Sequence, residues 1–466
     1  MLRLDGTTLV VGLGASGLAT VRALKALGAP VAATDSRADP PGLAAKPSPP
    51  TPLPRGEGSF CTVSEFPDVP CHLGGFDPAR FADAARLLVS PGVAVKTPAI
   101  AGAAARGIPV WGDIELLARL TQVPVAAITG TNGKSTVTTL LGLMAERAGV
   151  RAAVGGNLGP PALDLWLRDE WEADRVPDLY VLELSSFQLE TTHSLNARVA
   201  TVLNLSPDHL DRYDDLDEYI AAKRRIFRGD GTLVVNADDP AVMAMVEPGR
   251  DVLRFTLNEP GEGEFGLWRD GGATWLARGQ ERWIAAGELR ISGDHNLANA
   301  LAALAMGQAL GLRRDGMLAA LRDFIGLAHR TTLVLERAGV RWFDDSKGTN
   351  VGATVAAVRG LPGSVVLIAG GDGKGQDFAP LRPALADKAR AVVLIGRDAP
   401  SIAAALGDRV PLQFATSLEE AVAAAARLAR PGDSVLLSPA CASFDMFRNY
   451  EERGARFATA VRSLPC

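Results

Sequence analysis

The sequence predicts an α/β protein of three domains, each built on a mostly parallel sheet. Three observations carry this. The chain has 466 residues, or three domains at roughly 150 residues each. Short apolar runs alternate with helix-period segments along its length. Two glycine turns, Gly12-x-Gly14-x-x-Gly17 and Gly130-x-x-Gly133-Lys134-Ser135, each follow a strand-like run and open a helical one. Boundaries are expected at 1–112, 113–326 and 327–466.

In the first domain "TTLVVGLG" reads as a buried strand and "ASGLATVRALKALG" as the helix after it. "PVAATDSR" is a second strand ending at Asp35, which completes a βαβ unit. "ARLLVSPGV" is a further strand with a turn at Gly92. Residues 40–60, "PPGLAAKPSPPTPLPRGEGSF" with its neighbours, lack apolar periodicity and are expected to be a loop or disordered insert. The glycines permit close approach of a phosphate to a helix N-terminus. Asp35, Ser36 and Arg37 together offer an acceptor, a hydroxyl and a cation. A nicotinamide dinucleotide, another nucleotide such as a uridine diphosphate sugar, and a packed turn without ligand all fit this pattern.

The second domain opens with the strand "VPVAAIT" and the helix "STVTTLLGLMAERAG". Between them the usual phosphate-loop glycine is missing, because Ile128 stands in its place. The chemistry survives. Gly130 and Gly133 expose N–H groups, Lys134 reaches phosphate oxygens, and the Ser135 hydroxyl suits Mg²⁺. Downstream, Glu183 ends the strand "LYVLELSS", His209 and Asp211 follow "VATVLNLS", and Lys223 lies on the next helix. Strand ends of one α/β unit tend to share a site. "DHNLANALAALAMGQALG" is a periodic helix, and the third domain carries the strands "SVVLIAGG", "AVVLIG" and "DSVLLSPA".

A net charge of −5 gives no global attraction to nucleic acid or anionic membrane, so neither is expected as a partner. Four cysteines, Cys61, Cys71, Cys441 and Cys466, fit no zinc or disulfide spacing and read as thiols in a reducing compartment. The N-terminus lacks an apolar signal region, and no stretch is long and apolar enough to span a bilayer. A soluble cytoplasmic protein is expected.

Together, "TGTNGKST", "GGNLG" at 155–159, the Glu183 strand, His209, "GDHNLANALAA" and His329-Arg330 resemble the Mur ligase family. These are ATP-dependent amide-forming ligases of peptidoglycan precursor synthesis, and so of cell wall biogenesis, cell shape and division. "LELSSFQLE", "DDSKGTNVGAT", "GGDGKGQDF" and "LSPACASFDMFRNYEERG" are most similar to the members that add D-glutamate. The resemblance covers almost the whole chain outside the proline-rich insert.

The resemblance implies a Rossmann-like N-terminal domain, a central P-loop ATPase-type domain and a C-terminal Rossmann-like domain. It implies ATP at Gly130, Thr131, Asn132, Gly133, Lys134, Ser135 and Thr136, with Asn299, Arg330, Asp345 and Lys347 facing it. UDP-N-acetylmuramoyl-L-alanine would bind at Ala15, Ser16, Asp35, Ser36, Arg37, Gly92 and Asn157, and D-glutamate at Thr349, Lys374, Ser443, Phe444 and Tyr450. Lys134, Glu183, His209 and Lys223 would be catalytic. Two Mg²⁺ sites are implied, using Ser135, Glu183, His209 and Lys223 as a carbamate. A monomer that closes about hinges near 112 and 327 is expected. Gly348 stands where the family usually has alanine, which suggests a looser turn.

Overall fold

The computed structural model describes residues 2–40, 60–63, 66–171, 176–291 and 293–464. Residues 41–59, the bulk of the proline-rich insert, lie outside them. Three sheets follow one another along the chain, as the α/β class requires.

The first sheet holds β1 (Thr8–Val11), β2 (Val31–Asp35), β3 (Phe60–Val63), β4 (Phe66–Leu73), β5 (Arg86–Val89) and β6 (Val110–Trp111), in the order β3-β4-β2-β1-β5-β6. β1 runs parallel to both β2 and β5, so the Gly12 turn opens at the carboxyl ends of three adjacent strands. The helix Ala15–Ala26 follows at once. A Cβ on Gly17 would lie 1.9 Å from the Gly12 carbonyl oxygen, so only glycine lets this helix approach its strand.

The second sheet holds β7 (Val125–Thr129), β8 (Ala152–Gly156), β9 (Leu179–Glu183), β10 (Val199–Val202), β11 (Thr232–Asn236), β12 (Val252–Phe255), β13 (Phe265–Asp270), β14 (Ala273–Arg278) and β15 (Glu281–Ala285). Their order is β15-β14-β13-β12-β11-β10-β7-β9-β8. β7 is central, paired in parallel with β9 and β10. β13, β14 and β15 form an antiparallel extension that the sequence reading did not single out. Its signal was present: Gly271 and Gly272, both at positive φ, join two strands that pair Trp268 with Trp275.

The third sheet holds β16 (Thr332–Arg337), β17 (Val340–Asp344), β18 (Val365–Gly370), β19 (Ala389–Ile395), β20 (Leu412–Phe414) and β21 (Ser434–Leu437), in the order β16-β17-β21-β18-β19-β20. All pairs but β16–β17 are parallel. Among the described residues no helix is long and apolar enough to cross a membrane.

Candidate active site

Gly133 sits at φ +83, and a Cβ there would lie 2.3 Å from Asn299 Oδ1. Glycine is therefore required both by the turn and by the helix that packs over it. The helix Lys134–Arg147 starts directly after, with Lys134 at its first turn. Lys134 Nζ donates to the carbonyls of Gly130 (2.9 Å) and Thr131 (2.8 Å) and is held below the ordinary lysine range, chiefly by burial. Arg330, from the third domain, donates to Ser135 Oγ at 2.7 Å.

Glu183 ends β9 and is 3% exposed. Its Oε1 accepts from Asn157 Nδ2 at 2.7 Å, while its buried Oε2 has no hydrogen-bond partner. Lys223 lies on the helix Leu216–Arg224, whose N-terminus is capped by Asp215. It is 1% exposed, donates to the Gly130 carbonyl at 2.9 Å and lies 4.7 Å from the Tyr219 ring centre. Burial first, then the Lys134 charge, pushes its ammonium well below the usual range, which favours the neutral amine. His209 adopts a left-handed conformation, φ +57, fixed by a turn in which the Arg212 and Tyr213 N–H groups donate to its carbonyl. Burial lowers its imidazole as well.

These groups line one cavity of about 300 Å³ together with Thr131, Asn132, Asn157, Arg330, Lys347, Thr349, Lys374, Ser443, Phe444 and Tyr450. Lys374 sits at φ +51, and Phe444 is 71% exposed at the rim. A second cavity, behind the phosphate loop, is lined by Thr136, Asn299, Arg330, Asp345 and Lys347, with Asn236, Phe255 and His295. A third lies over the first sheet and is lined by Ala15, Ser16, Asp35, Ser36, Arg37, Gly92 and Asn157. Gly130 lies beneath the loop, with its carbonyl shared by Lys134 and Lys223. Asp35 is 2% exposed; its Oδ2 accepts the Leu13 N–H at 2.7 Å and the Arg37 guanidinium at 2.7 Å. Its carboxyl stays below the usual carboxylate range: burial, the largest influence, opposes this, and the Arg37 and Leu13 hydrogen bonds outweigh it.

Several residues of the site were not singled out from the sequence. Asp211, which was, is exposed; the buried acid beside His209 is Asp208, whose Oδ1 accepts the His209 N–H at 3.0 Å. Tyr219 hydroxyl lies 3.1 Å from Thr131 Oγ1. Arg453, 1% exposed, donates to Ser346 O at 2.8 Å and Cys441 O at 3.2 Å, tying the Lys347 loop to the Ser443 loop. Gly348 proves to be a close approach rather than a looser turn: a Cβ there would lie 2.5 Å from Asp345 Oδ2 and 2.6 Å from Ser438 Oγ.

Three family models match in succession: the Mur ligase MurD-like N-terminal domain over 6–112, the Mur ligase middle domain over 128–307 and the Mur ligase glutamate ligase domain over 329–441. The chain belongs to the Mur ligase family. It is 54% identical over 460 residues to a UDP-N-acetylmuramoylalanine–D-glutamate ligase of Nitrosococcus oceani, covering 98% of this chain and 97% of that one. The protein of that name from Pseudomonas aeruginosa is 52% identical over 464 residues, covering 99% and 98%. Among solved structures, the UDP-N-acetylmuramate-alanine ligase MurC of Thermotoga maritima shares the fold at a TM-score of 0.57 and 17% identity, covering 98% of this chain and all of that one. Mur ligases are ATP-dependent and use Mg²⁺.

Proposed function

We propose that the chain joins D-glutamate to UDP-N-acetylmuramoyl-L-alanine, with cleavage of ATP, in peptidoglycan precursor synthesis. One observation carries this: the three cavities share lining residues. Asn157 lines both the first-sheet cavity and the central one. Asn132, Gly133, Arg330 and Lys347 line both the central cavity and the one behind the phosphate loop. A nucleotide-sugar lying over the first sheet would then reach toward the γ-phosphate of ATP, in a cavity that Lys374, Thr349 and Ser443 of the third domain also line.

The chemistry follows. A carboxylate oxygen of the L-alanyl group attacks the γ-phosphorus, and the bond to the β,γ-bridging oxygen breaks, releasing ADP and leaving an acyl phosphate. The D-glutamate amine then attacks the acyl carbon, the acyl carbon–oxygen bond to phosphate breaks, and the amine's proton leaves with the departing phosphate. Both steps gather negative charge on phosphoryl oxygens, which Lys134 and Arg330 offset. Lys374, Thr349, Ser443 and the backbone near Phe444 and Tyr450 hold the carboxylates of D-glutamate. Asp35, Ser36 and Arg37 hold the uracil-nucleotide end, with Ala15, Ser16 and Gly92 beside it. Asn299, Asp345 and Lys347 hold ATP beside the loop residues 130–136.

Among the described residues no three His, Cys, Asp or Glu side chains cluster as a metal cage. Mg²⁺ takes one or two carboxylates and completes its shell with phosphate oxygens and water. The orphan Glu183 Oε2 and the Ser135 hydroxyl fit this, as does a carbamate on Lys223, whose neutral amine would add to CO₂ with loss of one proton. Ser135 would hold one Mg²⁺, and Glu183, His209 and carbamylated Lys223 would hold a second. Bound there, Mg²⁺ supplies charge neutralisation on the phosphoryl group. In this reading the domains divide at 112/113 and 326/327, and the protein works as a cytoplasmic monomer without nucleic-acid or membrane partners.

The test is phosphate release from ATP with UDP-N-acetylmuramoyl-L-alanine and, separately, D-glutamate, L-glutamate, meso-diaminopimelate, L-lysine or no amino acid. Release with D-glutamate alone is expected. Release only with another amino acid would overturn the substrate, and release with none would overturn the ligase.

A further inference from the structure

Asn350 is 4% exposed and precedes the helix Val351–Gly360. Its Nδ2 donates to Asn132 Oδ1 at 3.1 Å and to Asp208 Oδ2 at 3.2 Å. Its Oδ1 accepts from Asn132 Nδ2 at 3.3 Å and from the Ala353 N–H at 2.8 Å. Both donors and both acceptor positions of the carboxamide are therefore used. The partners come from three places. Asn132 is in the phosphate loop, Asp208 precedes His209, and Ala353 begins a third-domain helix. Asn132 is itself fixed from below: its N–H donates to Asn204 Oδ1 at 2.8 Å, and its carbonyl accepts from Asn204 Nδ2 at 3.1 Å.

We propose that Asn350 is the positioning residue that couples closure of the third domain to the geometry of the phosphate loop and the His209 turn; this rests on the function proposed above. Thr349, the residue before it, lines the central cavity in which D-glutamate is proposed to bind. When the third domain seats, Asn350 locks Asn132 and Asp208 in one step. When it swings away, all three cross-domain hydrogen bonds break together, while the bond to Ala353 travels with the helix. The amino-acid pocket and the phosphate loop are thus assembled by the same event, so an acyl phosphate forms only where the amine is already held.

The separating variant is Asn350→Asp. Aspartate caps helices about as well as asparagine, so the third domain keeps its fold. It donates nothing, and it sets a carboxylate against Asp208 across the interface. Expected is a fall in kcat of about 10–100-fold, the scale of lost hydrogen bonds to a charged partner. KM for D-glutamate and ATP rises with it, while KM for the nucleotide-sugar, whose cavity lies over the first sheet, stays within about twofold. The melting temperature stays near that of the native chain. Asp208→Asn is measured alone and combined with Asn350→Asp; the pair restores a donor facing an acceptor and is expected to be clearly better than the product of the single losses. Native kinetics in Asn350→Asp, a loss that tracks melting temperature, or multiplicative single effects would each overturn the coupling. A chain that releases no phosphate with D-glutamate fails the functional reading instead. The coupling is then read from amide hydrogen exchange over residues 129–136 and 203–213 with a non-hydrolysable ATP analogue. Protection in the native chain that Asn350→Asp lacks supports it, and equal protection in both overturns it.

Discussion

The two joints between domains are built differently. Across the first, one apolar cluster is continuous: Leu13 and Leu24 of the first domain pack in the same core as Leu163, Tyr180 and Leu182 of the second. Arg22 adds a bidentate pair with Asp164, Lys96 reaches Asp214 and Glu218, and Arg212 donates to the carbonyls of Pro91 and Val93. Across the second, among the described residues, the apolar clusters of the third domain draw only on residues from 334 onward. The seam facing the central cavity is polar, with Arg330 on Ser135 and Asn350 on Asn132 and Asp208. Apolar burial is lost only by exposing area to water, whereas polar partners can be exchanged for water at small net change. The first joint is thus stiff and the second reversible, so the expected motion concentrates near residue 327 rather than dividing equally with 112.

The largest expected effect tests the stiff joint. Leu163 is fully buried on the helix Ala162–Trp166, which packs on the helix Ala15–Ala26. Leu163→Ala is expected to destabilise by about 2–5 kcal/mol. In calorimetry the first two domains would melt earlier together, and the third would melt as before. A shift of the third-domain transition by the same amount would break the comparison.

The next effect lies within the third domain, beside the reversible joint, and it depends on pH. Asp345 is 7% exposed, and burial pushes its carboxyl from 3.8 up to about 7, against the hydrogen bond from Ser438 and the charge of Arg330. Because the folded value is raised, the folded protein binds more protons than the unfolded chain between those two values. Stability therefore falls as pH rises from about 4 to about 7, by a few kcal/mol at about 1.4 kcal/mol per unit. Ligand-free melting temperatures across that range check the sign. Asp345→Asn, neutral throughout, is expected to flatten the slope.

How much of this was legible in the sequence follows from the range of the interactions. The phosphate loop and the Gly12 turn were readable because backbone geometry at Gly17 and Gly133 demands glycine within a few residues. Most of the strands were readable from apolar runs. The β13–β15 extension is hidden in the sequence by the alternating helix and strand signals around it, although Gly271-Gly272 marks its turn. Asn350, Asp208 and Arg453 were not legible. Their partners lie 218, 142 and 107 positions away, and nothing local distinguishes them from an ordinary helix cap, a loop acid or a surface arginine. Arg330, Asn157 and Lys374 were reached only through family resemblance.

Arg212 measures how far the stiff joint reaches the site. Its guanidinium holds Glu190 at 2.8 Å, lies 4.2 Å from the Phe187 ring centre, and Phe187 stands 4.8 Å from His209 edge to face. Arg212→Met removes the hold on Pro91 and Val93, which line the first-sheet cavity where the nucleotide-sugar is proposed to bind. Expected is a rise of about 10-fold in KM for the nucleotide-sugar, the scale of one lost charge-assisted bond, with KM for ATP unchanged. Equal rises in both would mean that the first joint serves the phosphate loop as directly as the second does.

The smallest effect is expected where the contact looks strongest. Arg22 and Asp164 meet through two hydrogen bonds of 2.8 and 2.7 Å, yet their side chains remain 28% and 27% exposed. Water screens such a pair, and ordering two side chains offsets much of the attraction. A double-mutant cycle with Arg22→Met and Asp164→Asn is expected to return a coupling of about 0.5–1 kcal/mol, falling further in high salt. That would leave the apolar cluster around Leu163 as the reason the first two domains move as one. A coupling above about 2 kcal/mol would place charge, not apolar area, at the root of the stiff joint, and the contrast between the two joints would then rest on how many ion pairs each holds rather than on what lies beneath them.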